Sequence, residues 1–425
     1  MCRPPLFVLA FCAVAAAQQP PLPLTLAAAE KLAIRNNPAL ASAQFIARAV
    51  AQGPAEARSA LLPNAFGSVT AVGADDGSRI AAGALNNPVL YSRLGTGVTI
   101  NQLVTDFGRT SNLVQSARFR ADAENRYAQS VDANIIVQTD RAYYAILRAQ
   151  SVLTVAQQTV AARQLLSDQV TELANNKLKS QLDVSFANVN LAQAKIQLSA
   201  ANNDLSSATA NLATVLGLPA QRAFILTEEP MPAALDSTDD SYLQQAVEKR
   251  PELAELRLQV NAAESTLQAE KALSHPSIAV IATAGFAPTG VPQVPSRYGA
   301  VGANLSIPIF NGGLFKARRT EAELRLEATR RNLQDLQNRV LRDVRVAWLN
   351  ANSAFEQVGL TSQLLDQTRL ALDLAQSRYD LGLSSIVELS QAQLNLTSAQ
   401  IANAGARFDY QTEHSILEYE AGNLR

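Results

Sequence analysis

The chain is written twice, and that duplication limits what it can fold into before any single motif is read. Ala33-Ile34-Arg35-Asn36-Asn37-Pro38-Ala39-Leu40 returns as Ala246-Val247-Glu248-Lys249-Arg250-Pro251-Glu252-Leu253, 213 positions later, and the same offset carries Pro63 onto Pro276. Further on the offset is 205. Asp106-Phe107-Gly108 falls on Asn311-Gly312-Gly313, Leu182-Asp183-Val184 on Val387-Glu388-Leu389, Asn190-Leu191 on Asn395-Leu396, and Gly217 on Gly422. One net deletion of 8 residues therefore separates the halves, between Pro276 and Asn311. That interval holds an expected hairpin loop, where length changes are tolerated. The expected division is a first repeat over 18–218, a linker or small equatorial segment over 219–239 containing Pro219, Pro230 and Pro232, and a second repeat over 240–425.

Each half reads in the same order. A helix of moderate length comes first, 24–61 and 240–273, ending at a proline that cannot continue it. Two short alternating segments follow, expected as strands near 64–73 and 92–103, then near 277–286 and 297–309. Ile278, Val280, Ala282, Ala284 and Phe286 share one face of a strand, and Val301, Ala303, Leu305, Ile307 and Ile309 one face of the next. The loops between them, 74–91 and 287–296, are rich in Gly, Pro and Asn. A proline-free helical stretch comes next, 106–173 and 311–381; about 70 residues at 1.5 Å each reach about 100 Å. In the second copy Val344, Ala351, Val358, Leu365, Leu372 and Tyr379 recur every seven residues, with Leu326, Leu333, Val340, Ala347 and Ala354 as the companion series. The first copy carries Ile146, Leu153 and Val160, and Ala128, Ile135, Ala142, Ala149 and Ala156, in the same registers. A sustained seven-residue repeat implies left-handed coiled packing. A returning helix closes each half, 182–216 and 386–421.

The N-terminus reads as an address. Arg3 precedes an apolar run from Leu6 to Val14, and Ala15-Ala16-Ala17 fits a small-residue cleavage site, so residues 1–17 are expected to be a secretory signal peptide. Cleavage there would remove Cys2 and Cys12, which are both cysteines of the chain, and leave a net charge of −2 in place of −1. Phe11 before Cys12 disfavours lipidation. The near-neutral charge argues against nucleic acid as a partner. Two histidines, His275 and His414, are too few for a zinc site, so neither metal nor cofactor is expected. Gly312-Gly313 is no phosphate loop, because no Lys-Ser or Lys-Thr follows it. Trp348 sits among heptad positions and reads as packing. No nucleophile and base are arranged as a hydrolase needs them, so no enzyme is expected.

No stretch reaches the ~18 uninterrupted apolar residues of a membrane-spanning helix. Alternating strands escape that test, so an outer-membrane barrel stays open. Four strands cannot close a barrel alone, and open edges are not tolerated in lipid. A trimer would supply twelve strands, an even number within the known range. The alternative from pattern alone is a soluble periplasmic coiled-coil adaptor or scaffold whose strands form a small β-domain.

The order helix, two strands, long helix and returning helix, duplicated behind a signal peptide, resembles the TolC-like outer-membrane efflux proteins. Leu305-Ser306-Ile307-Pro308-Ile309-Phe310-Asn311-Gly312-Gly313 is similar to the family's strand-to-helix junction, and Asn101-Gln102-Leu103-Val104-Thr105-Asp106-Phe107-Gly108-Arg109 is its first-half version. Tyr379-Asp380-Leu381-Gly382-Leu383-Ser384-Ser385-Ile386-Val387-Glu388-Leu389 resembles the turn at the periplasmic tip; Asn175 to Val184 is its less regular partner and lacks the usual glycine. The resemblance implies a mostly helical homotrimer with a twelve-stranded barrel in outer-membrane lipid, continued by a long helical barrel in the periplasm. It implies a passive exit duct that takes cargo from an inner-membrane pump and a periplasmic adaptor. It also implies a closing site at the tip, to which Asp183, Tyr379 and Glu388 correspond, and an adaptor contact at Gly382, Leu383 and Ser384. Ser384 stands where a basic partner occurs in the family, and Gln391 where a further acid does.

Six carboxylates near one axis would favour cations and raise one another's pKa. The plain readings are structural: an acid at a helix start complements the dipole, Tyr379 lies in the heptad seam, and Gly382 suits a helix-ending turn. Lys177 and Lys179 read as a solvated face.

Overall fold

The computed structural model describes residues 22–75, 92–219, 222–288 and 295–424. The expected signal peptide, with Cys2 and Cys12, lies outside them, as do most of the first expected loop and the centre of the second. The elements in chain order are β1 (Leu22–Leu24), α1 (Leu26–Asn36), α2 (Pro38–Val50), α3 (Gly53–Ser59), β2 (Asn64–Val72), β3 (Arg93–Thr105), α4 (Arg109–Asn175), α5 (Gln181–Val215), β4 (Phe224–Leu226), α6 (Asp240–Lys249), α7 (Pro251–Ala272), β5 (Ser277–Phe286), β6 (Arg297–Ser306), α8 (Leu314–Asp380) and α9 (Ile386–Glu420). The duplication is visible in the lengths. α4 and α8 have 67 residues each, and α5 and α9 have 35 each.

Three expectations are corrected. The opening helix of each half is broken. Proline lacks an amide hydrogen and clashes with the preceding turn, so the chain breaks just ahead of Pro38 and Pro251, and at Ala51-Gln52 ahead of Pro54. Asn37 ends α1 and starts α2, its Oδ1 accepting from the Ala39 amide at 2.9 Å and its Nδ2 donating to the Val215 carbonyl at 3.2 Å. Secondly, of the two readings of the proline-rich segment, linker or small equatorial segment, the plain linker is the one corrected. β4 pairs in parallel with β1, Leu22 opposite Phe224 and Leu24 opposite Leu226. The buried Tyr143 hydroxyl sits beneath this pair, donating to the Thr227 carbonyl at 2.6 Å, accepting from the Thr227 amide at 3.1 Å, and lying 3.0 Å from the Leu24 carbonyl. Thirdly, β6 stops at Ser306, because Pro308 has no donor for a ladder. Ile307 and Ile309 are exposed beyond it.

The four long strands form one antiparallel sheet in the order β2-β3-β5-β6. The join between the halves is β3 on β5, with Val98 opposite Ala284 and Thr99 opposite Thr283. Alternation then sorts the side chains. One face carries Val69, Val98, Ile100, Ala282, Val301 and Leu305. The other carries Ser68, Thr70, Thr99, Thr283, Asn304 and Ser306. On this second face the Tyr298 ring lies across Gly97 and Gly285, where any Cβ would strike it. β2 and β6 are open edges.

Each strand pair feeds a long helix through two left-handed residues, Phe107-Gly108 and Gly312-Gly313. Asp106 caps the first junction, accepting from the Thr110 amide at 2.8 Å. Along α8 the heptad series is buried at Leu326, Val340, Val344, Ala347, Ala351, Ala354 and Tyr379. α4 packs on helices of both halves, α1, α2, α3, α5, α7 and α9; α8 packs mainly on α6, α7 and α9 and meets α4 and α5 around Tyr379 at its end. α8 is therefore an edge helix, and Leu360, Leu364, Leu370 and Leu374 stand exposed on it. Among the described residues no helix is long and apolar enough to cross a membrane.

Candidate functional site

The two hairpin turns, α4 to α5 and α8 to α9, come together at one end of the molecule. They close in the same way. Leu383 N donates to the Arg378 carbonyl (2.8 Å) and Gly382 N to the Tyr379 carbonyl (3.0 Å). In the first half Leu178 N donates to the Leu173 carbonyl (2.8 Å) and Lys177 N to the Ala174 carbonyl (2.9 Å). This paired pattern requires a left-handed residue after the helix. Gly382 supplies it with φ +73°, and at the matching position Lys177 is forced to φ +63°. The glycine missing from the first turn is thus missing from the sequence but not from the geometry.

The acids at the two helix starts differ. Asp183 forms a reciprocal cap with Ser180: its carboxylate accepts from the Ser180 amide at 3.0 Å and hydroxyl at 2.8 Å, while its own amide donates to Ser180 Oγ at 3.2 Å. Glu388 instead meets Arg378 across the hairpin at 3.4 Å, with both side chains about half exposed. Such a pair contributes at most ~1 kcal/mol. Tyr379 is buried in an apolar cluster from both halves with Leu166, Val170, Val184, Ile386 and Leu389. Its hydroxyl has no hydrogen-bond partner among the described residues. Burial pushes its pKa up, with Asp183 and Asp380 adding to the effect. The Ser384 hydroxyl is likewise buried and unpartnered. Leu383 and its counterpart Leu178 are exposed, so Gly382, Leu383 and Ser384 form a turn with an apolar tip.

Lys179 corrects an expectation. It is half-buried, and its Nζ lies 4.0 Å from the centre of the Tyr379 ring. Lys177 is exposed as expected. His275 stacks on Phe107, His414 packs edge-on to Tyr410, and Trp348 packs against the core of the second half.

Sequence reasoning missed two features. A polar seam runs up from the tip: Ser167 bonds Asn188 within the first hairpin at 2.8 Å, and Asn190 to Ser390 at 2.9 Å, Arg163 to Gln393 and Thr159 to Thr397 at 3.4 Å join the two hairpins. The four-residue spacing of Thr159, Arg163 and Ser167 was its only signal. Arg163 is buried there, and burial lowers its pKa. The second is a carboxyl pair near the middle of the molecule. Asp140 is buried on α4 and faces Glu30 of α1 and Ser415 of α9. Burial first and Glu30 second push its pKa up to about 7. Glu30 is raised as well, chiefly by burial.

A duplicated chain whose four-stranded sheet has two unpaired edges, and whose coiled hairpins extend ~100 Å, belongs to an elongated class built around a sheet that one copy leaves open. The model of the outer membrane efflux protein family matches residues 30–218 and 242–420, and the chain belongs to that family. It is 25% identical over 393 residues to the outer membrane efflux protein BepC of Brucella suis, covering 91% of this chain and 82% of that one. It is 24% identical over 388 residues to the outer membrane protein TolC of Escherichia coli, covering 87% and 76%. Among solved structures, a membrane protein from Pseudomonas aeruginosa superposes with a TM-score of 0.82 at 20% identity, over 93% of both chains. The outer membrane protein VceC of Vibrio cholerae does so at 0.80 and 18% identity, over 93% of this chain and 96% of that one.

Proposed function

We propose that the protein is the passive exit duct of a tripartite efflux or secretion system, a homotrimer whose barrel sits in outer-membrane lipid and whose helical part crosses the periplasm. It takes cargo from an inner-membrane transporter through a periplasmic adaptor and performs no chemistry of its own. One observation carries the reading. The four-stranded sheet has one face with an apolar belt of Val69, Val98, Ile100, Ala282, Val301 and Leu305, a second face that mixes hydroxyl and small side chains with Phe66, Leu103, Ile281 and Tyr298, and open edges at β2 and β6. Open edges are excluded from lipid, so the sheet must close on other copies, apolar face outward. Three copies give twelve strands. The exposed leucines of α8 support the same closure lower down. At the tip, Asp183, Tyr379 and Glu388 are the proposed constriction, and Gly382, Leu383 and Ser384 the proposed adaptor contact, supported by the exposed Leu383 and Leu178.

The test is the oligomeric mass in mild detergent after the inner and outer membranes are separated. A trimer in the outer-membrane fraction is the expected result. A soluble periplasmic monomer or dimer would refute the duct and leave the adaptor or scaffold reading.

A further inference from the structure

We propose that Lys179 is the fastener that holds the hairpin tip shut, through its ammonium group on the face of Tyr379. The proposal rests on the duct reading and names how its closed state is held. The Nζ lies 4.0 Å from the ring centre, well inside the ~6 Å over which a cation is attracted to an aromatic face. The ring cannot turn away, because Val170, Val184, Ile386 and Leu389 pack around it. Lys179 belongs to the first-half turn and Tyr379 to the last turn of α8, so the contact ties one half of the chain to the other.

The other charged groups at the tip do not make that tie. Asp183 is occupied by Ser180 within its own turn. Arg378 and Glu388 join α8 to α9, both in the second half, at a solvent-exposed position. The Tyr379 hydroxyl is unpartnered among the described residues, so the ring face, not the hydroxyl, carries the link. Lys179 therefore takes the place of the basic partner that Ser384 does not supply.

The experiment is single-channel conductance of the full-length protein in planar bilayers at fixed salt. Lys179→Met and Tyr379→Leu each raise the open fraction, by ~3- to 10-fold per subunit for a partly desolvated contact of this kind. Lys179→Arg and Tyr379→Phe, which keep a cation on a ring, stay close to wild type. Lys177→Met, which removes the neighbouring charge and no ring contact, also stays close to wild type. A conducting wild type indifferent to Lys179→Met overturns the fastener alone. So does a Tyr379→Phe variant as open as Tyr379→Leu, because the hydroxyl would then be the link. A protein that conducts neither as wild type nor as Lys179→Met or Tyr379→Leu overturns the duct and the fastener with it.

Discussion

Replacing Asp140 by Asn removes a proton-binding group and little else, because the two side chains have the same shape. Asp140 is 2% exposed, and Glu30, Ser415 and Tyr144 face it, with Lys31 beside Glu30 and Glu229 nearby. Its pKa rises from an ordinary 3.8 to about 7, through burial first and the Glu30 charge second. A carboxyl raised in the folded state keeps its proton after the unfolded chain has lost it. Its contribution is full below about pH 4, declines as pH rises, and is gone above about pH 7. At ~1.4 kcal/mol per pKa unit, the whole effect is roughly 4 kcal/mol per protomer, with roughly 2–3 kcal/mol of it lost between pH 5 and 8. Asp140→Asn should flatten this slope, because the group whose pKa is raised is gone. The assay is the denaturant midpoint of the detergent-solubilised protein by circular dichroism at pH 5 and pH 8. Wild type should unfold at lower denaturant at pH 8, and the variant at nearly equal concentrations. An unchanged slope in the variant would refute the raised pKa of Asp140. A variant unstable at both pH values would mean that Asp140 is needed as an acceptor, not as a titrating group.

Lys177→Gly should relieve the left-handed backbone of the first turn; the strain is ~1–2 kcal/mol against ~0.4–1 kcal/mol of added unfolded-state freedom. The Leu178 amide should then exchange roughly 2- to 5-fold more slowly in native-state hydrogen exchange, and unchanged exchange would show that the turn is unstrained. Gly285→Ala should destabilise the sheet by about 1–3 kcal/mol, because its Cβ meets the Thr96 carbonyl and the Tyr298 ring. Gly302→Ala, with nothing within 4 Å, should be neutral by the same thermal melt, and equal effects would remove Tyr298 from the explanation.

What was legible in the sequence is what repeats. The strands, the two long helices and the returning helices follow from period-2 and heptad patterns that each half states independently. The breaks at Pro38 and Pro251 were hidden because hydrophobic periodicity continues across a proline, while the hydrogen-bond ladder does not. The β1–β4 pair was illegible because three-residue strands about 200 residues apart carry no pattern. Asp140 and Arg163 look like any polar residue in a helix. Only the packing of α1, α4 and α9, or of α4 on α9, removes them from water. Of the tip residues named from resemblance, Tyr379 lies in the buried cluster, while Asp183 caps its own helix and Glu388 meets Arg378. Lys179 was set aside because a lysine beside a turn is ordinarily solvated, and the ring beneath it belongs to the other half.

The duplication also supplies a rule for how copies of the chain would meet in the proposed trimer. Equivalent elements of the halves are α1 with α6, α2 and α3 with α7, α4 with α8, α5 with α9, and the first strand pair with the second. Inside the chain the first half joins the second through β3 on β5, α4 on α7 and α4 on α9. Advancing each of these by one half-unit gives β6 on β2, α8 on α2 and α3, and α8 on α5, with the second partner always from the next copy. Those are the surfaces the single chain leaves bare. β2 and β6 are the open strands, α8 is the edge helix, and Phe45 and Ile46 on α2 are exposed. The internal join is then the template for the external one. In the proposed trimer this would account for the equal helix lengths of the two halves beside their divergent turns: α4, α5, α8 and α9 would present matching seams around the ring. Lys177 and Gly382, or Asp183 and Glu388, need only serve the tip, where the halves meet unlike neighbours and their chemistry is free to differ.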